Sequence, residues 1–134
     1  MPSSELNRIL YVEDDADIQA IASIALEVVG GFRLKVCSSG AEALAAAPGF
    51  DPELLLLDVM MPEMDGPTTL ARLRELAPTA YTPVVFMTAK VQASEVTLYK
   101  SLGALGVIAK PFDPMQLAQQ VRALWESRSD LPPL

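Results

Sequence analysis

Five short apolar runs alternate along the chain with five stretches whose apolar residues recur at helical spacing. The runs fall at residues 9–12, 32–37, 54–58, 83–87 and 104–109 and read as strands. The second alternates enough to be an edge strand. The third is unbroken, Leu54-Leu55-Leu56-Leu57-Asp58, as a strand covered on both faces of a parallel sheet requires.

The helical stretches carry their own start and stop signals. In the first, Ile18, Ile21, Ala22, Ala25, Val28 and Val29 fall on one predicted face, and Gly30-Gly31 stops it. Ser39-Gly40-Ala41-Glu42 is a capping box for a short alanine-rich helix expected to end before Pro48. A third helix starts at about Pro67, carries Leu70, Leu73 and Ala77, and is terminated by Pro78. A fourth, over 91–102, has the poorest apolar pattern of the five, so it should be the least firmly docked. The fifth has Asp113 as N-cap, Pro114 in its first turn, and a stripe of Leu117, Val121, Leu124 and Trp125.

Five βα units in succession predict an α/β fold: one doubly wound domain with right-handed crossovers and helices on both faces of a parallel sheet. The core spans about 7–126, with 1–6 and 129–134 expected as flexible termini. In such sheets ligands sit beyond the carboxyl ends of the strands. Those ends supply Glu13-Asp14-Asp15, Asp58, Thr88-Ala89 and Lys110-Pro111. Far apart in sequence, these groups should converge on one sheet edge.

Composition narrows the chemistry. The chain has 134 residues, a net charge of −7 and no histidine. Lacking histidine, it has no imidazole general base, no histidine-activated nucleophile and no imidazole metal ligand. Any metal must be held by oxygen, which favours a hard ion such as Mg²⁺. Lysine and arginine form no cluster, which argues against binding a nucleic-acid backbone. No apolar stretch is long enough to span a membrane and no signal peptide is evident, so a cytoplasmic location is expected. Cys37, the single cysteine, excludes an internal disulfide and reads as core filler.

Glu13, Asp14 and Asp58 would repel one another unless a cation joins them. A divalent ion would relieve that repulsion and leave room for an incoming phosphoryl group. Lys110 adds a point charge for a phosphate oxygen, and Thr88 a hydroxyl. These parts match phosphoryl transfer, in which positioning and charge neutralisation do most of the catalysis, with Asp58 as the natural nucleophile. Taken singly, Asp15 reads as a helix cap, Asp65-Gly66 as turn chemistry, and Trp125 and the methionines as packing.

In order along the chain, Glu13-Asp14, Asp58 with Met61-Pro62 and Asp65-Gly66, Thr88-Ala89 and Lys110-Pro111-Phe112 resemble the receiver domain of two-component response regulators. The likeness covers roughly residues 7–126. It implies a flavodoxin-like sheet of order 2-1-3-4-5. Asp58 would be the phosphoacceptor, taking its phosphoryl group from a phosphohistidine on a sensor kinase or phosphotransfer protein. Asp14 and Asp58 would ligate Mg²⁺ directly, Glu13 would act through a coordinated water, and the backbone carbonyl of Met60 would complete the protein ligands. Thr88 and Lys110 would bind phosphoryl oxygens, and the Lys110-Pro111 bond would be cis. Output would pass through the face formed by the fourth helix, fifth strand and fifth helix to an unnamed protein target. The chain would act as a monomer or a weak phosphorylation-dependent dimer. It would catalyse only its own phosphorylation and dephosphorylation. No output domain follows the fifth helix, so the chain is expected to be a stand-alone receiver or a piece of a larger regulator.

Three departures and alternatives bear on that reading. Val107 stands where the family commonly has a switch aromatic, so the expected readout is a backbone shift of the fourth helix; a purely docking, unphosphorylated receiver is the alternative. A flavin-binding reading meets Glu13-Asp14-Asp15, which would repel a phosphate unless metal intervened. Haloacid-dehalogenase-type phosphatases carry an acid two residues after the nucleophile, where this chain has Met60.

Overall fold

The computed structural model describes residues 5–130. Strands β1 (Arg8–Val12), β2 (Arg33–Cys37), β3 (Leu54–Asp58), β4 (Val84–Thr88) and β5 (Ala104–Ala109) form one parallel sheet in the order β2-β1-β3-β4-β5. The connecting helices are α1 (Ala16–Ser23), α2 (Gly40–Phe50), α3 (Gly66–Leu73), α4 (Ala93–Ser101) and α5 (Leu117–Glu126).

The apolar runs explain the layering. Every residue of β3 is buried, and successive leucines enter opposite cores. Leu54 and Leu56 join Ile9, Val85 and Met87 against Ala22 and Leu26, and against Leu117, Val121 and Trp125 of α5. Leu55 and Leu57 join Leu10, Val12 and Phe86 against Ala43 and Ala47 of α2, Leu70 and Leu73 of α3, and Tyr99 of α4. At ~1.5–3 kcal/mol for each fully buried leucine, the four together contribute roughly 6–12 kcal/mol of gross hydrophobic stabilisation. Strand β2 lies at the sheet edge and alternates exposed and covered positions, as its sequence requires. Cys37 is buried among the α2-side residues.

Several boundaries differ from the sequence expectation, each for a local reason. Residues Ile24–Val29 continue α1 as a π-helix, in which Gly30 N–H donates to the Ala25 carbonyl at 3.0 Å. The wider turn rotates the buried face onto Ala25 and Leu26. Val28, expected inside, is 76% exposed, and Ile21 and Val29 also face solvent. Helix α2 runs through Pro48 to Phe50, because a proline in the last turn forfeits a single hydrogen bond; Asp51 then ends it at φ 54°.

Helix α3 stops at Leu73, short of Pro78, and leaves Ala77 in a 3₁₀ turn (Ala77–Thr79). Arg74 holds that turn by donating to the carbonyls of Thr79 (2.9 Å) and Thr82 (2.5 Å). Asp113 caps a turn ahead of α5, its carboxylate accepting from Met115 N–H at 2.9 Å, and the regular helix begins at Leu117. At the ends, Leu6 is buried in the core instead of flexible, and Ser127–Asp130 forms a 3₁₀ turn. The remaining terminal residues, 1–4 and 131–134, lie outside the described ones. Helix α4 buries Tyr99, whose ring meets Phe86 at 5.2 Å between centroids, and little else.

Candidate functional site

The carboxyl ends of β1, β3, β4 and β5 bring Glu13, Asp14, Asp58, Thr88 and Lys110 to one edge of the sheet. Parallel register makes this possible. Tyr11 and Val12 pair with Leu56 and Leu57, Asp58 with Met87, and Thr88 with Ala109, so the strands end nearly level. Backbone bonds extend the ladder past the strand ends: Glu13 N–H to Cys37 (3.0 Å), Val59 N–H to Met87 (2.9 Å) and Lys110 N–H to Thr88 (2.9 Å). The site residues are thus fixed by main chain as well as by packing.

Lys110 is the hub. Its Nζ donates to Glu13 Oε1 at 2.9 Å and lies 3.2 Å from Asp58 Oδ1. Glu13 and Asp58 are almost wholly buried, at 1% and 2% exposure, whereas Asp14 is exposed. Carboxylate oxygens of Glu13, Asp14 and Asp58 all lie within 4.8 Å of one another. The sequence expectation of convergence therefore holds in the fold.

Electrostatics follow from that geometry. Burial pushes the Glu13 carboxyl above its ordinary range, the Lys110 hydrogen bond opposes the shift, and the Asp58 charge adds to it. For Lys110, burial pulls downward, but the Glu13 hydrogen bond and the charges of Asp58 and Glu13 win and raise it. One ammonium against three carboxylates leaves the cluster short of positive charge. An oxygen-ligated divalent cation fits that deficit, and a histidine-free donor set suits Mg²⁺.

Neighbouring groups hold the frame. Asp15 is the N-cap of α1, its carboxylate accepting from Asp17 N–H at 2.9 Å and Ile18 N–H at 3.1 Å. Its own N–H donates to Glu13 Oε2 at 3.2 Å. Gln19 donates to the Glu13 carbonyl and, at 3.0 Å, to Ser38 Oγ. Thr88 is buried, and its Oγ1 accepts Lys90 N–H at 3.1 Å. Met60 projects into solvent at 64% exposure. The Lys110-Pro111 bond is cis.

Two contributors escaped the sequence reading. Asp65 caps α3 by accepting Thr68 N–H at 2.8 Å, the turn chemistry expected of it. Gly66 does more: its N–H donates to the Val59 carbonyl at 2.9 Å, and a Cβ there would stand 2.5 Å from the Asp58 carbonyl oxygen. A glycine is needed because the backbone behind Asp58 passes so close; the signal was a glycine placed in the turn that leaves the aspartate. The other is Tyr11, whose buried hydroxyl has no hydrogen-bond partner among the described residues. An apolar position in a strand gives no sign of that in sequence.

Comparison with known proteins identifies the family of the chain. The sequence pattern of the family described as response regulator receiver domain matches residues 9–122. The chain is 38% identical over 125 residues to the DNA-binding response regulator MtrA of Mycobacterium tuberculosis, covering 93% of this chain and 53% of that one. It is 41% identical over 108 residues to a protein-glutamate methylesterase/protein-glutamine glutaminase of Rhodospirillum rubrum, covering 79% of this chain and 28% of that one. The chain thus spans about half, or less, of the length of these relatives. Among solved structures, the chemotaxis protein CheY4 of Vibrio cholerae superposes with a TM-score of 0.81 at 27% identity, over 89% of this chain and 98% of that one. The N-terminal domain of a receiver protein from Methanoculleus marisnigri gives 0.71 at 36% identity, over 89% and 96%. The chain belongs to the response regulator receiver domain family, the phosphoacceptor modules of two-component signalling.

Proposed function

We propose that Asp58 is the phosphoacceptor of this receiver and that Glu13, Asp14, Thr88 and Lys110 assist it. The observation that supports this most directly is Lys110 Nζ standing between Glu13 (2.9 Å) and Asp58 (3.2 Å) on a buried, cation-poor edge. Glu13, Asp14, Asp58 and the Met60 carbonyl would hold Mg²⁺, which when bound neutralises charge on the phosphoryl oxygens. Asp58 would attack the phosphorus of a phosphohistidine, and the P–N bond would break with imidazole as the leaving group. Lys110 and the Thr88 hydroxyl would each take a phosphoryl oxygen.

The donor would be a sensor kinase or phosphotransfer protein. A cavity of about 350 Å³ beside Lys110, lined by Ile18, Ile21, Pro111, Phe112 and Pro114 among others, gives a protein donor an apolar rim to contact. The receiver would act as one domain over about 7–126, in the cytoplasm, as a monomer or weak dimer. Its output would be a changed protein-binding face rather than turnover of a separate substrate. No described helix is long and apolar enough to cross a membrane.

Incubation with acetyl phosphate and Mg²⁺, followed by intact mass, tests the assignment. The expected result is an adduct of about 80 Da, the mass of PO₃H, that is lost in Asp58→Ala and in EDTA. An adduct that survives Asp58→Ala would place the acceptor elsewhere.

A further inference from the structure

Residues 74–83 join α3 to β4 at the amino-terminal edge of the sheet, opposite the edge that carries Asp58. The five-residue strand β4 puts about 17 Å between the two edges. A cavity of about 360 Å³ opens there, lined by Arg74, Tyr81, Pro83, Leu102, Leu105 and Arg128 among others. Both charged residues in its wall are arginines, in a chain whose net charge is −7.

Arg74 is only partly explained by the loop it clamps. Its bonds to the carbonyls of Thr79 and Thr82 both come from Nη1. A lysine ammonium could hold the same two carbonyls, so the clamp does not account for a guanidinium. The Nε–Nη2 edge, the fork that grips a carboxylate or phosphate through two parallel bonds, meets no acceptor among the described residues. Arg74 is half-buried, yet among the described residues Tyr11 holds the one buried side-chain polar atom without a partner, so the fork is open to solvent.

Arg128 is held in place as well. Its guanidinium lies 3.7 Å over the Trp125 ring, and Nη1 donates to the Trp125 carbonyl at 2.8 Å. Ion pairs among the described side chains belong to Arg8 and Lys110, so neither cavity arginine has a carboxylate partner there. A partly buried cation is costly to leave unpaired. Beside the two arginines, Tyr81 is 88% exposed and Leu102 42%. An open aromatic ring and a leucine next to a cationic fork suit a ligand with an apolar body and an anionic head.

We propose that this cavity binds a small organic anion, its carboxylate or phosphate head held by Arg74 and Arg128 and its apolar body resting on Tyr81, Pro83 and Leu102. The site is separate from the phosphoacceptor and does not depend on Asp58.

Amide nuclear magnetic resonance of the isotope-labelled full chain in EDTA, titrated with phenyl phosphate and separately with sodium benzoate, tests this. EDTA leaves Glu13, Asp14 and Asp58 without a divalent ion, so that edge repels both anions. Saturable shifts are expected at Ala80, Tyr81, Leu102, Gly103 and Leu105, half-complete on the order of 1 mM. Binding by either anion supports the site, and the tighter of the two names the head group. Inorganic phosphate should bind more weakly than phenyl phosphate, and uncharged phenol should leave these amides unmoved. Arg74→Lys keeps the clamp on Thr79 and Thr82 but loses the fork, so affinity should fall roughly tenfold while the protein stays folded. Arg128→Gln should weaken binding by a similar factor, and it decides the matter alone if Arg74→Lys does not fold. Tyr81→Ser should erase the advantage of phenyl phosphate over inorganic phosphate. The proposal is overturned if neither anion moves these amides, or if the shifts fall at Asp58, Thr88 and Lys110 instead. Folded arginine variants that bind as tightly as wild type would overturn it too.

Discussion

Replacing Gly66 by alanine should damage the phosphoacceptor without touching any of its side chains. The added Cβ would lie 2.5 Å from the Asp58 carbonyl oxygen, 3.0 Å from Val59 Cα and 3.1 Å from the Asp58 carbonyl carbon. All three are main-chain atoms, so no rotamer change relieves the clash. Ordinary contact begins near 3.4 Å, so α3 and the Asp58 peptide must part by about 0.9 Å. Overpacking of this kind costs ~1–3 kcal/mol, and the better helix propensity of alanine returns at most ~1 kcal/mol. The net is ~1–2 kcal/mol, or a fall of roughly 3–8 °C in melting temperature for a domain of this size. The displacement is also transmitted to Asp58, whose carboxylate must stay near Lys110 Nζ, now 3.2 Å away. A misplacement of about 1 Å can cost ~10²-fold in rate, so acetyl phosphate labelling should slow roughly 10- to 100-fold. Thermal melts and an intact-mass time course on the same preparation give both numbers. Wild-type melting with a labelling rate within twofold of wild type would refute the reasoning. Lower stability with an unchanged rate would show that α3, and not the acceptor, gives way.

Glu13 makes stability depend on pH in a direction that can be stated. Its folded-state pKa lies above the ordinary 4.5, so its contribution to stability is present below 4.5 and is lost as pH rises through the raised value. In EDTA, Glu13→Gln should flatten that part of the stability–pH curve and be the more stable protein at pH 7. The gain should be on the order of 1 kcal/mol for every tenfold by which folding tightens the grip of Glu13 on its proton; denaturant titrations with identical pH slopes for the two proteins would contradict this. Met60 offers an exposed thioether and no group to orient an attacking water. Phosphorylated wild type should therefore lose its label more slowly than Met60→Asn, by roughly tenfold or ~1.4 kcal/mol, and equal or shorter wild-type half-lives would count against shielding. With Val107 in place of an aromatic, activation should displace the backbone of α4 and residues 89–92; a beryllofluoride-bound crystal with α4 unmoved would sink that expectation.

What could be read from sequence was whatever a single residue type or a run imposes by itself. Leu54–Asp58 and Ala104–Ala109 were legible to the residue, because β3 is buried on both faces and Gly103 bounds β5. Site convergence was legible too, since charges at the ends of parallel strands have one edge to occupy. The register of the first helix was not. Periodicity assumes 3.6 residues per turn, and the π-helical stretch breaks that assumption without any marker residue. Pro48 misled because its cost depends on how much helix follows it, and only Gly49 and Phe50 do. Pro78 was read as a terminator, although α3 had already given way four residues earlier to the loop that Arg74 clamps. Gly66 depends on a backbone carbonyl brought close by folding, and local sequence does not carry that distance.

The π-helical stretch Ile24–Val29 also bears on how this chain tolerates changes of length. A turn closed by i−5 bonds holds one residue more than an α turn, so the surplus residue lies inside an element and not in a loop. Deleting a solvent-facing residue there, such as Val28, would let the ladder tighten to α spacing while Ala22 upstream and Phe32 downstream keep their places in the core. The same deletion in α2 or α5 would drag every downstream side chain about 100° around the axis. Length variation among homologues of this chain is accordingly expected in mid-helix at this point, a place where alignments seldom put a gap.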